Sequence, residues 1–582
     1  MTARPHFPGM PRRPRTRHGR RRTPFVVAFA VAAALLALAG LAWIPGPARA
    51  VRAAAPVTAS TPASTPSPAR TAGAEARLVD RVPTPVLRWT ACRKTDACAT
   101  ARLPLDYGKP LGATIDVALL RVGAKDPAHR LGTLFVNPGG PGDSARDFAA
   151  LLPQGVSQPI LDRFDIVGVD PRGVGGSRQI RCFGTTARQA RALGPLTSAP
   201  FPVTAAEQRS WVGAAETFGR ACATTGRQVA SAMSTTQDAR DMDVLRRAVG
   251  DSKLTYLGES FGSYLGQVYA NMFPDRVRAI ALDGIVDPQA IAGTAARADQ
   301  PVFDRMGSAA AGYRALHELL DRCGRAGPSV CSFADADPQA RFGRLADRLR
   351  AHPLRLAAPG VTTTTYTYAN LVRDTEQWLH DPDGYVGLFA DLTDLARLTA
   401  PGSAGADHAA VVRRFLARHP AAQPAAGYDN RLEAFSGKVC ADGPHAARAA
   451  SWPAAAAAAD RDAPYFGAYY AWLSVQCAGS TWPAQDEAVY RGPFDRRTAA
   501  PVLVIGDLWD PVTSYDSAVK VAGLLPNSRL VSSDSWGHEA LGTSACVDDT
   551  AFDYLLRPLA RAPKVTHCRG DVQPFGPAPS TT

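Results

Sequence analysis

Three residue types that together break acyl bonds stand in suggestive settings at Ser260, Asp510 and His538. Ser260 is the centre of Gly258-Glu259-Ser260-Phe261-Gly262, after a short apolar run (254–257) and before a helix-compatible stretch (264–272). A serine hydroxyl is a poor nucleophile at neutral pH and needs an adjacent base. A tight strand–turn–helix junction lifts it clear of a sheet, and flanking glycines are required where a Cβ would clash. His538 follows Trp536-Gly537 late in the chain and is the candidate base. Asp510 would hold the imidazole tautomer and stabilise the imidazolium. Asp507 is the rival acid, since both aspartates follow the buried-strand pattern at 501–506. Asp510 is preferred because a short loop beyond the strand lets its carboxylate swing toward the histidine, and Pro511 stiffens that loop.

A tetrahedral oxygen also needs N–H donors. The apolar run 132–136 leads into Asn137-Pro138-Gly139-Gly140-Pro141-Gly142, a loop rich in exposed backbone N–H groups. The N–H of Phe261 with that of Gly139 or Gly140 would make the oxyanion site. Glu259, beside the nucleophile, has three readings. It could bind a substrate ammonium, it could when protonated hydrogen-bond a substrate carboxylate, or it could simply pair with an arginine or a backbone amide.

The order serine, acid, histidine is that of the α/β-hydrolases, and the chain resembles one group of them, the secreted tripeptidyl aminopeptidases and related prolyl-aminopeptidase-like hydrolases of actinobacteria. The matching stretches are Trp89-Thr90-Ala91-Cys92, Leu103-Pro104-Leu105-Asp106-Tyr107, residues 136–142, residues 164–173, the elbow, Leu282-Asp283-Gly284, residues 502–513 and Gly537-His538. They cover most of residues 89–568 and are weakest in the middle. The resemblance implies a serine peptidase that removes residues or short peptides from free N-termini, with Ser260, Asp510 and His538 as its triad. It departs at Ser514, where proline often follows the threonine, and at Asp143, where a small residue is usual. At Glu259 and in the Asn-Pro-Gly-Gly-Pro-Gly loop the chain is also similar to serine carboxypeptidases. Two other readings therefore stand beside the aminopeptidase: an esterase or serine carboxypeptidase-like hydrolase on the same fold, and a catalytically silent scaffold. The silent scaffold is disfavoured because every catalytic residue type is present in order.

Composition fits an exported enzyme. The net charge of +13 falls to +4 without residues 1–50, which hold nine arginines and no acid. The remainder is near charge balance, which argues against a nucleic-acid surface. The arginines precede an apolar run at 25–44 and the small-x-small pattern Ala48-Arg49-Ala50, the form of a signal peptide. The run is also long enough to be an uncleaved anchor, so the expected location is secreted, or held at the cell surface if cleavage does not occur; membrane contact is expected only in that case. Ten cysteines in an exported chain point to disulfides. The economical pairing joins neighbours: Cys92–Cys98, Cys182–Cys222, Cys323–Cys331, Cys440–Cys477 and Cys546–Cys568. No metal is implied, because His538-Glu539 lacks the second histidine of a zinc-binding helix. No cofactor is implied either, since Gly173-Val174-Gly175-Gly176 lacks the full dinucleotide fingerprint. Peptides are the expected partners; oligomeric state is left open.

The elements that must position these residues alternate as strand and helix, which implies a mostly parallel sheet covered on both faces. The expected organisation is a signal peptide or anchor (1–50), a flexible linker or propeptide (51–80), the first part of an α/β-hydrolase core (81–287), a large helical cap (288–492) and the C-terminal part of the core carrying acid and base (493–575). In 288–492 the alternation fails and helical periodicity takes over, as at Phe342, Leu345 and Leu349. A cap entering there would restrict access to chain ends.

Overall fold

The computed structural model describes residues 67–576 except 94–95, 403–406, 421–426, 481 and 484–488. The signal-peptide or anchor reading of 1–50 and most of the linker reading lie outside the described residues. Among the described residues, no helix is long and apolar enough to cross a membrane.

One ten-stranded sheet organises the molecule. Its strands are β1 (Thr90–Ala91), β2 (Asp96–Pro104), β3 (Thr114–Val122), β4 (Gly132–Asn137), β5 (Phe164–Val169), β6 (Leu254–Glu259) and β7 (Val277–Asp283). After a small separate hairpin, β8 (Leu354–Leu356) and β9 (Thr364–Tyr366), the sheet resumes with β10 (Val502–Trp509), β11 (Arg529–Trp536) and β12 (Val565–Cys568). The spatial order is β1-β2-β3-β5-β4-β6-β7-β10-β11-β12. From β5 to β12 every neighbour is parallel, whereas β1, β2 and β3 pair antiparallel and β3 meets β5 antiparallel. Side chains alternate between two cores. Phe135, Tyr256, Ile280 and Val504 enter one, while Leu134, Val136, Leu257, Ala281 and Ile505 enter the other. Burial on both faces explains why these strands read as unbroken apolar runs.

Helices Thr235–Ala248 and Phe261–Met272 help cover the first face; helices Ala145–Leu151, Gln158–Arg163 and Ala545–Leu556 cover the second. Between β7 and β10 the chain builds mostly helices, among them Ser308–Ala326, Tyr368–Leu379, Arg431–Asp442 and Phe466–Trp472. A second helical excursion leaves the sheet between β5 and the helix Thr235–Ala248. It contains Thr186–Thr197 and Ala205–Thr224, which no sequence pattern had singled out. Trp211 of this excursion packs edge-on against Trp472, with ring centroids 5.9 Å apart. The helical layer thus has two sources in the chain.

The linker reading is corrected at its C-terminal end. Gly73–Asp80 is a helix, and Glu75 makes a two-pronged pair with Arg240 at 2.6 and 2.9 Å. A segment tied by charge-assisted bonds to a buried arginine is part of the fold and no longer a free tether. The five cysteine pairs are joined as expected from their order along the chain.

Candidate active site

The elbow is built by close backbone approach. Ser260 has φ 52° and ψ −124°, outside the regions where non-glycine residues rest comfortably. Its N–H is held by Asp283 O at 2.9 Å, and its carbonyl accepts from Ser263 N at 2.8 Å. A Cβ on Gly258 would lie 2.4 Å from Gly262 O, and one on Gly262 would lie 2.4 Å from Asn137 O. Neither contact is tolerable, so the outer positions of the motif admit no side chain.

Two neighbouring strand ends deliver the other polar groups. β10 and β11 run in parallel register until a bulge between Asp507 and Trp509 shifts the pairing to Trp509–Trp536. Bulges re-aim the residues that follow them. Trp509 and Trp536 stack with centroids 5.0 Å apart, which brings the loops after both strands together. There His538 Nδ1 lies 3.0 and 2.9 Å from Asp510 Oδ1 and Oδ2, and His538 Nε2 lies 2.9 Å from Ser260 Oγ. Asp510 is 1 % exposed. It also accepts from Val512 N (2.8 Å), Thr513 N (2.8 Å) and Thr513 Oγ1 (2.7 Å). Burial pushes its pKa up, but His538 and the Thr513 donors outweigh that and hold it below the ordinary carboxylate value.

The rival acid is placed differently. Asp507 is buried, its Oδ1 accepts from Trp509 N at 3.2 Å, and its Oδ2 has no hydrogen-bond partner. Burial, reinforced by the charge of Asp510, drives its pKa far up. It sits within β10, where burial disfavours its ionised form. On the oxyanion side, Gly139 has φ 91°, and a Cβ there would meet Phe261 N at 2.5 Å. The Gly139 N–H is taken by Asn137 Oδ1 at 2.9 Å. Asp143 is solvent-exposed.

Glu259 is 8 % exposed and does not meet the arginine the sequence suggested. Its carboxyl interacts instead with that of Glu539, the residue after His538, which burial also pushes up. Burial first, then the neighbouring Asp283, push the Glu259 carboxyl up to about 8.

Several contributors escaped the sequence reading. Asp283, at the end of β7, accepts from Ala540 N (2.9 Å) and Leu541 N (2.7 Å) and so ties the histidine loop to the elbow's neighbouring strand. Burial pushes its pKa up to about 6 despite these donors. Beyond the helix Tyr368–Leu379, the His380 carbonyl accepts from His538 N at 2.9 Å, and the two imidazole rings are 5.4 Å apart. His380 Nε2 pairs with Glu376 Oε1 at 2.6 Å, and Tyr470 donates to the same oxygen at 2.8 Å. The Glu–x–x–x–His spacing was visible in the sequence, but nothing there said which strand end this helix would meet. Among the described residues, no group of three or more His, Cys, Asp or Glu side chains is arranged to hold a metal.

Comparisons with known proteins agree with this architecture. Residues 132–317 match the family described as alpha/beta hydrolase fold, and residues 463–568 the one described as TAP-like protein. The carboxylesterase B of Mycobacterium tuberculosis is 30 % identical over 489 residues, covering 82 % of this chain and 88 % of that protein. The chain belongs to the α/β-hydrolase family, in its TAP-like branch. The tripeptidyl aminopeptidase of Streptomyces lividans is 29 % identical over 488 residues, 81 % of this chain and 83 % of that protein. The serine protease Hip1 of M. tuberculosis is 35 % identical over 232 residues, 38 % of this chain and 44 % of that protein. In this TAP-like hydrolase the first family match contains the elbow and the glycine loop, and the second contains Asp510 and His538.

Proposed function

We propose that this chain is a secreted serine exopeptidase that cleaves short peptides from free N-termini, in the manner of tripeptidyl or prolyl aminopeptidases. The observation that carries the chemistry is the hydrogen-bonded series Ser260 Oγ, His538 Nε2, His538 Nδ1, Asp510, with contacts of 2.9–3.0 Å. His538 takes the Ser260 proton as Oγ attacks the carbonyl carbon, then gives it to the leaving group, and water releases the acyl-enzyme by the same route. Phe261 N–H and a glycine-loop N–H hold the oxyanion. Gly140 is the better of the two loop candidates, because the Gly139 N–H already serves Asn137. Substrate specificity toward peptides is supported by the relatives named tripeptidyl aminopeptidase and serine protease. The helical segment between β7 and β10, which contributes His380 beside the base, is the cap that restricts entry to chain ends. Five disulfides support folding in an oxidising compartment.

A second reading, a carboxylic-ester hydrolase, is favoured by the equally similar relative named carboxylesterase B. Two measurements test both. A fluorophosphonate probe should label the wild type and not Ser260→Ala; an unlabelled wild type would sink any serine-hydrolase reading. Free and N-acetylated tripeptide amides should differ at least ~100-fold in kcat/KM, the scale at which a site that binds a polar group rejects its absence or masking. Equal rates would overturn the aminopeptidase assignment.

A further inference from the structure

We propose that the carboxylate of Asp143, folded over the glycine loop, makes the site select peptides that carry a positive charge on the acyl side of the scissile bond. The inference rests on the peptidase reading above and names the class of peptide that the same site prefers.

Asp143 ends the turn that the oxyanion loop begins. Its N–H donates to Gly139 O at 3.3 Å. Its side chain bends back over Gly140, where an added Cβ would meet Oδ2 at 2.9 Å. The preceding Gly142 rests against the helix Arg431–Asp442: a Cβ there would meet Phe435 N at 2.8 Å. Asp143 therefore stands at the seam between the oxyanion loop and the helical layer, exposed to solvent. Among the described residues no donor hydrogen-bonds its carboxylate. Arg431, the cation acting on it, is itself held in a two-pronged pair by Asp429, at 2.9 and 2.5 Å. Partial burial against the loop raises the Asp143 pKa from 3.8, and the Arg431 charge opposes the rise. A solvent-exposed carboxyl with a cation nearby is ionised at neutral pH.

Geometry limits how far this charge lies from the reaction. An oxyanion on the Gly140 N–H sits about 2.9 Å from that nitrogen, and the Cα and Cβ positions add about 1.5 Å each. With the 2.9 Å contact to Oδ2, the carboxylate is at most about 9 Å from the oxyanion. Two residues of extended chain span about 7 Å. The free ammonium of a bound tripeptide and the side-chain cation of a lysine or arginine next to the scissile bond therefore both come within reach. The chemistry is the same for both: a cation against a carboxylate that nothing in the fold has claimed. An aromatic row lines the way from this seam. Phe435 stacks on Phe303 with centroids 5.9 Å apart, Phe303 lies 6.3 Å from Tyr470, and Tyr470 Oη reaches to 3.4 Å from the carbonyl of Pro511, beside Asp510. Such apolar surroundings strengthen a charge pair relative to open water. The same carboxylate repels an anionic side chain, so selection works in both directions.

The test uses tripeptide p-nitroanilides with Lys, Gln or Glu next to the anilide, each with a free and an acetylated N-terminus, at neutral pH. The enzymes are the wild type and Asp143→Asn, which keeps the shape and removes the charge; Asp143→Ser, with a smaller neutral side chain, is read in the same way if the first variant does not fold. The wild type should prefer Lys over Gln, or free over acetylated peptides, by at least about 10-fold in kcat/KM, the scale of one charge-assisted contact. That ratio should fall about 10-fold in the variant. A fall in the Lys-to-Gln ratio assigns the side-chain cation, and a fall in the free-to-acetylated ratio assigns the terminal ammonium. Ratios that survive unchanged, with all peptides gaining or losing rate together, would show that Asp143 only shapes the loop and would overturn the role. A wild type that cleaves all the peptides alike would overturn it without any variant. A wild type that reacts with the fluorophosphonate and leaves every peptide intact would instead overturn the peptidase reading and this role with it, a pattern distinct from the others.

Discussion

At Asp510 and Asp507, two residues of one type three positions apart, the surroundings decide the chemistry. Asp510 has donors on both oxygens and the imidazole in front of it; Asp507 has an oxygen with no partner. Replacing Asp510 with asparagine should lower kcat about 10⁴-fold, because the wrong imidazole tautomer is then favoured. Asp507→Asn should cost less than about 10-fold, since its hydrogen bond goes to Trp509 N and none goes to His538. Steady-state kinetics on one substrate separates the two, and a larger effect at Asp507 would reverse the assignment. This preference was legible beforehand, because a loop residue past a strand end can reach where the strand residue cannot. The partner of Glu259 was not legible. Glu539 is next to the base in sequence, but only folding places one glutamate behind the other.

Elements explain why the rest of the site was harder to read. The core strands announce themselves as apolar runs because both faces are covered. The helices at 186–230 did not, since their buried positions depend on a partner layer hundreds of residues away, such as Trp472 against Trp211. The glycine loop offers a test at this scale. Gly139→Ala would push a Cβ to 2.5 Å from Phe261 N, displacing that donor, and kcat should fall at least ~100-fold with the fold retained. Unchanged kcat would remove this loop from the oxyanion site.

The helix ending beside His380 offers a pH test. Burial alone would raise the pKa of Glu376 and lower that of His380, but their pairing outweighs burial, leaving Glu376 lowered and His380 raised. A lowered acid stabilises the fold above its ordinary value of 4.5 and loses that contribution as pH falls through the folded value. A raised histidine stabilises it below 6.5 and loses that as pH rises through its own folded value. The Tm gap between wild type and Glu376→Gln should therefore be widest between 4.5 and 6.5 and shrink on either side. A gap independent of pH would mean that the pair is not charged.

At the scale of the molecule, cross-links secure the long excursions. Cys440–Cys477 closes a separation of 37 residues within the helical layer. Its removal in a double serine variant should cost about 3–4 kcal/mol by the loop-entropy model, visible as a lower denaturant midpoint. An unchanged midpoint would place that segment's stability in packing alone, with Trp472 and Phe466 both buried nearby in sequence. Economy of pairing made the disulfides readable from order alone; the ion pairs that dock the layer, such as buried Lys438 on Asp238, were not, because their partners are 200 residues apart.

The bond from His538 N–H to the His380 carbonyl means that the roof and the base share a fastening. Opening that helical segment wide would break this bond or carry the imidazole out of line with Ser260. If the proposed exopeptidase reading holds and the helical segment stays fastened during turnover, a chain with a buried or looped-back terminus should survive incubation intact, while the same chain unfolded is trimmed from its end.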